Sequence, residues 1–308
     1  MKKFIITIDT EGDNLWAWRP GDAISTENSC FLQRFQNLAD KYGFKPVWLS
    51  NYEMLSDDRY VKFARNVVEH NSGEIGMHLH AWSTPPEHSI PIAMSGQPYL
   101  IEYPSEIMEA KIDSMTRIIE DRIGVTPISH RAGRWALNDK YLDILVKKGY
   151  QIDCSVTPHC DWSSKPGQTV NSKGSDYSEF QEEPFNWRGI LEVPVSIRVS
   201  HTFFTPTKPS LKRIGGAVYR TIKGQPIWLR PNGHNLKEMK WLLQYVENSD
   251  SNYIMFMLHS SEMMPGGSPT FRTSESIEKM YLDIEEVFRF ASRSFEGSTL
   301  LEYALNQR

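Results

Sequence analysis

The stretch Glu74-Ile75-Gly76-Met77-His78-Leu79-His80-Ala81-Trp82 decides how this chain is read. Its apolar residues suit a buried strand, and two histidines at i, i+2 on a strand face the same way. Imidazole is the commonest metal-ligating side chain. Such a strand would deliver two ligands to one ion at its C-terminal edge. By itself, a His-x-His pair is more often structural. Two further stretches give it weight. Phe4-Ile5-Ile6-Thr7-Ile8-Asp9-Thr10-Glu11-Gly12-Asp13 is a second buried-type strand, running into three carboxylates. Tyr253-Ile254-Met255-Phe256-Met257-Leu258-His259-Ser260-Ser261-Glu262 repeats the design with a histidine. Apolar strands that end in titratable residues describe an enzyme site on a parallel-strand scaffold.

The rest of the chain fits that scaffold. Strands are expected at 3–9, 45–50, 74–79, 127–131, 150–154, 189–195 and 253–258. Helices are expected at 27–42, from Asp57 or Asp58 to about 70, at 105–123, 138–148, 211–219, 236–246, 274–292 and 300–305. Repeated β-then-α units imply a parallel sheet or barrel. Asp9, Glu11, His78, His80, Arg131, Asp153 and His259 all fall at expected strand ends. The proline-rich segment 81–104 and the aperiodic segment 155–188 read as loop-rich insertions. One domain is expected over residues 1–308.

Composition sets the outer bounds. The chain has 308 residues, 40% hydrophobic and 23% charged, with a net charge of −4. That is ordinary for a globular protein and gives no overall electrostatic footprint for nucleic acid. Cys30, Cys154 and Cys160 are an odd set without a C-x-x-C, which argues against a disulfide framework and for a reducing compartment. The apolar run after Lys3 is too short for a signal peptide, and no stretch is long enough to span a membrane. A cytoplasmic location is expected. Nine tryptophans suit a carbohydrate site, although packing accounts for most such residues.

The strand-end motifs, taken together, resemble those of the polysaccharide deacetylase family, the NodB-homology group of carbohydrate esterases. The resemblance runs from residue 5 to about 262. It implies an irregular (β/α) barrel and a metal-dependent hydrolase that removes an acetyl group from an N-acetylated sugar or polysaccharide precursor. By that resemblance Asp9 in Thr7-Ile8-Asp9-Thr10-Glu11 is the catalytic base and Glu11 a metal ligand. His78 matches the first family histidine. Trp82 stands where the second is usual, and His80 is the natural substitute, with His88 in reserve. Arg131 in Arg131-Ala132-Gly133-Arg134-Trp135 pairs with Asp9. His259 in Met257-Leu258-His259 is the general acid, oriented by Asp153 or Asp161. The His-Leu-His-Ala-Trp variant is similar to a branch associated with O-antigen or other cell-surface polysaccharide biosynthesis.

Chemistry asks for the same residue types. Amide hydrolysis needs an activated water, a stabilised oxyanion and a protonated leaving amine. One carboxylate and two histidines around one divalent ion, expected to be zinc, leave open positions for water and substrate. Trp82, Arg134, Trp135 and Leu258 are the expected substrate-binding residues around the acyl group. Asp13 and the Met263-Met264 pair read as turn and loop residues. Two competing functions keep part of this picture: hydrolysis of a cyclic or other non-sugar amide, and a degenerate, metal-free carbohydrate-binding protein.

Overall fold

The computed structural model describes residues 1–19, 21–206 and 210–307. The strands are β1 (Lys2–Thr10), β2 (Val47–Ser50), β3 (Glu74–Leu79), β4 (Ser129–Ala132), β5 (Ile152–Asp153), β6 (Phe185–Trp187), β7 (Ile190–Glu192), β8 (Ile197–Ser200), β9 (Gln225–Trp228), β10 (Tyr253–His259) and β11 (Phe295–Gly297). The helices are α1 (Leu32–Lys41), α2 (Tyr52–Ser56), α3 (Asp58–Glu69), α4 (Ser105–Ile123), α5 (Asp139–Lys147), α6 (Leu211–Lys223), α7 (Leu236–Glu247), α8 (Ser274–Ser294) and α9 (Leu300–Leu305).

The main sheet has the order β10-β1-β2-β3-β4-β5-β7-β6, and β11 pairs with the start of β1. Every pairing in it is parallel except that of β6 with β7. The sheet curls into an incomplete barrel. Its open side, between the β7–β6 edge and β10, is bridged without a regular ladder. Met255 N donates to Ser196 Oγ, and Met257 N to the Leu229 carbonyl. The fold is the irregular parallel α/β barrel that the resemblance implies.

Side-chain alternation divides the core into two layers. Phe4, Ile6, Ile8, Ile75, Met77, Leu79, Ile254, Phe256 and Leu258 point outward and pack under the helices. Ile5, Val47, Leu49, Met255 and Met257 fill the barrel interior. The same parity carries Thr7 and Asp9 on β1, and Met257 and His259 on β10, toward the interior. On β3 it turns His78 inward, between the outward Met77 and Leu79.

Several expected elements are present with moved ends. The first helix begins as a 3-10 turn, Glu27–Phe31, before α1. Helix α6 runs to Lys223. Helix α4 keeps its expected span, Ser105–Ile123, and is stopped by Gly124, whose φ of 89° suits a residue without a side chain. Four short strands, β6, β8, β9 and β11, and the five-residue α2 go beyond the sequence expectation. The segments 81–104 and 155–188 lock together. Ala93 N and Met94 N donate to the Gln168 carbonyl, and Gln168 N and Thr169 N donate to the Glu102 carboxylate.

Candidate metal centre and active site

The C-terminal ends of β1, β3, β4 and β10 converge on one buried cluster. Register explains why: Asp9 lies opposite His259 across β1 and β10, and His78 opposite Arg131 across β3 and β4.

Glu11, His78 and His80 bring one ligand atom each to within 4.8 Å of one another, and all three are buried. His78 Nε2 stands 3.4 Å and His80 Nε2 3.3 Å from Glu11 Oε2. His78 Nδ1 lies 3.0 Å from the Arg131 carbonyl, an acceptor. Nδ1 therefore carries a proton, and Nε2 is the ring nitrogen directed at Glu11. An outer hydrogen bond of this kind is usual for a metal-bound histidine. Two imidazole nitrogens and one carboxylate oxygen are a donor set suited to zinc and similar divalent ions. Among the described residues this is the group that fits a metal. His88 is exposed, 6.0 Å from the Tyr103 ring, and does not join it.

The group is held from behind. Glu11 N donates to Ser260 Oγ at 3.0 Å, and Asn28 Nδ2 donates to the Glu11 carbonyl at 2.8 Å. Gly133 lies against His80, where a Cβ would meet His80 Cδ2 at 2.3 Å and the Leu79 carbonyl oxygen at 2.4 Å. Gly133→Ala is therefore expected to displace the His80 ring and weaken metal affinity by roughly tenfold or more, in the range seen when a ligand loses its support. Competition with a zinc chelator would measure it. Affinity equal to wild type would mean that His80 is not a ligand.

Arg131 occupies the barrel interior with no exposed surface. Its Nη1 donates to Asp9 Oδ1 at 2.6 Å, Nη2 to Thr7 Oγ1 at 2.9 Å and Nε to the Cys154 carbonyl at 3.0 Å. Burial would raise the Asp9 carboxyl, but the Arg131 charge outweighs it. With His78 and His259, it holds Asp9 far below the usual carboxylate range. Glu11 is likewise lowered against its burial, chiefly by His78. Burial drives His80 down to about 3, so its ring is neutral and able to ligate. For His78, burial is outweighed by Asp9 and Glu11, and the net shift is upward.

His259 completes the cluster. Its Nε2 lies 3.7 Å from Asp9 Oδ2 and 4.0 Å from Glu11 Oε1. Its Nδ1 is 3.1 Å from Glu262 Oε2 and 2.9 Å from Arg230 Nη2. Nδ1 either donates to Glu262 or accepts from Arg230, and both arrangements leave Nε2 facing the site. Burial would raise Glu262, but Arg230 and His259 hold it down to about 2.

The aromatic rim is partly as expected. The Trp82 ring lies 4.3 Å from the His80 ring and stacks with Trp18 at 6.2 Å. Trp135 covers Arg131, with Cζ 5.1 Å from its ring centre. Trp16 sits edge-on to His259 at 5.1 Å and donates from Nε1 to Ser261 Oγ.

Four expectations are corrected. Leu258 has the outward parity of β10 and packs under the helices, so it forms no wall of the site. Arg134 spends its guanidinium on the carbonyls of Gln97 and Pro166 and lies over the Tyr99 ring, bracing the two insertions. Asp153 accepts from His130 Nδ1 at 2.5 Å, and His130 Nε2 meets the Tyr141 hydroxyl at 2.8 Å, so this acid serves a buried network that excludes His259. Asp161 is exposed and caps a turn at Ser163. The acid that stands beside His259 is Glu262. Its position three residues after His259, with its carboxylate capping the His259 N–H at 2.9 Å, is a spacing the sequence already displayed. Arg230 gave no comparable signal. Asp13 is a turn residue, accepting from Ser25 Oγ and Asn28 N.

No family model matches the chain, and no curated protein matches it in sequence. Solved structures do match. A Mycobacterium smegmatis protein named as a polysaccharide deacetylase superposes with a TM-score of 0.55 at 13% identity, covering 99% of this chain and 90% of that one. A 4-alpha-glucanotransferase from Thermococcus litoralis superposes with a TM-score of 0.52 at 12% identity, covering 99% of this chain but 38% of that one. Two different chemistries on one scaffold mean that activity must be argued from the site. What the likeness establishes is architecture: this chain has the irregular α/β barrel of the protein named as a polysaccharide deacetylase.

Proposed function

We propose that this chain is a metal-dependent hydrolase that removes the acetyl group from an N-acetylated sugar, with zinc as its metal. One observation carries the reading. The buried Glu11–His78–His80 donor set stands beside a separate Asp9–Arg131 pair, with His259 Nε2 facing both.

A divalent ion held by Glu11, His78 and His80 would polarise the amide carbonyl and acidify a water. The remaining work falls to the chain. Arg131 keeps Asp9 ionised and fixes Oδ1, leaving Oδ2 to take the proton of the attacking water. His259 Nε2 gives a proton to the amine nitrogen as the C–N bond breaks. Water and amide thus become acetate and free amine. Glu262 and Arg230 hold the His259 ring in place. Trp16, Trp18 and Trp82 offer apolar faces to sugar C–H groups and the acetyl methyl.

Elemental analysis of protein prepared without chelators, alongside acetate release from N-acetylhexosamine derivatives, tests the reading. About one divalent ion per chain and stoichiometric acetate are expected. A zinc-supplied protein that binds no metal would instead support a metal-free carbohydrate-binding role.

A further inference from the structure

From Val193 to Lys237 the sequence has eight Lys and Arg residues and no Asp or Glu, although the net charge of the whole chain is −4. Within this stretch α6 lies between the two strands of the β8–β9 pair. α6 buries Ala217 alone among its residues. Leu211, Ile214, Val218 and Ile222 recur at helical spacing and share a face. All four are exposed, Leu211 at 92% and Ile222 at 73%. Phe203, 46% exposed, lies next to residues that dock on α6, where His201 Nδ1 meets the Thr221 carbonyl at 3.0 Å. A contiguous exposed apolar face of this kind marks an interaction surface.

Charge identifies the partner. Helical geometry sets Lys212 and Lys223 on the polar flank beyond Tyr219, and Arg220 opposite the apolar face. An apolar face with a basic polar face is the make-up of a helix lying in the headgroup layer of an anionic bilayer, where Lys and Arg reach lipid phosphates. A second copy of the chain would match the apolar face but would bring like charges together. On its other side α6, through Lys212, Gly216 and Arg220, lines a cavity of about 1070 Å³. Trp16, Arg230 and Glu262 of the active site line the same cavity.

We propose that α6 docks the protein on anionic lipid bilayers, with its apolar face in the headgroup layer. The docking is independent of the reaction at the metal centre, so the two can fail separately.

Co-sedimentation of the full-length protein with phosphatidylglycerol/phosphatidylcholine vesicles, against pure phosphatidylcholine vesicles, tests it. Binding to the anionic vesicles at low salt is expected, weakening as salt screens the basic residues. Leu211→Asp with Ile222→Asp should lower partitioning at least roughly tenfold, because charge is inserted into the buried face. Both side chains are exposed, so the fold and acetate release from a soluble substrate should be unchanged. Equal binding to both vesicle types, or undiminished binding by the double variant, would overturn the proposal. A wild-type dimer that the double variant dissolves would also overturn it, since the face would then belong to a second copy.

Discussion

Asp9→Asn is expected to retain the metal and to slow amide hydrolysis by about a hundredfold to ten-thousandfold, the range for a positioned acid or base. Asp9 lies outside the Glu11–His78–His80 group, and its Oδ1 is engaged by Arg131 at 2.6 Å. Asparagine can still accept from Arg131 but cannot take a proton from water. The exchange also leaves a fully buried guanidinium without its counter-ion, a loss of roughly 3–5 kcal/mol for a broken buried pair. Metal content, unfolding and activity must therefore be read on the same preparation. The expected variant is folded, less stable, metal-loaded and nearly inactive. Loss of metal with the fold retained would exchange the roles of Asp9 and Glu11. The pair also sets an acid limit in the wild type. Because the native Asp9 carboxyl is depressed, its stabilisation is present above the unfolded carboxylate pKa of about 3.9 and is lost as pH falls below it.

How much of this was legible in the sequence depends on strand parity. The motifs on β1, β3 and β10 sit at the buried C-terminal ends of the three longest strands, where alternation is strict. Asp9, His78 and His259 could therefore be placed on one face before any coordinates. Leu258 was misassigned by the same rule, since a residue next to an inward histidine must point outward. Arg134 follows β4 in a 3-10 turn and has a φ of 56°, where strand periodicity no longer applies. Asp153 sits on a two-residue strand, and its outward direction toward His130 follows from packing that composition does not encode. The missed strands β6, β8, β9 and β11 have three or four residues each, too few for a period to show.

His259→Gln is expected to slow deacetylation of an amide by about a hundredfold or more, while slowing hydrolysis of an activated phenyl ester far less. The difference lies in the leaving group. An amine cannot depart as its anion and needs a proton on nitrogen, whereas an activated phenolate departs without one. His259 Nε2 faces the site, 3.7 Å from Asp9 Oδ2, while its Nδ1 is occupied by Glu262 and Arg230. The ring is therefore anchored on one nitrogen and available on the other. Glutamine preserves polarity and approximate length but cannot deliver a proton under these conditions. Glu262→Gln keeps the imidazole and removes the negative charge beside Nδ1, so it should give the same leaving-group bias with a smaller loss. Metal content should be unchanged in both, because neither residue belongs to the ligand set. If amide and activated ester slow equally in His259→Gln, the ring positions substrate or water and the proton for the amine comes from elsewhere. If the amide is cleaved at the wild-type rate, His259 has no part in the chemistry, and its contacts with Glu262 and Arg230 are structural.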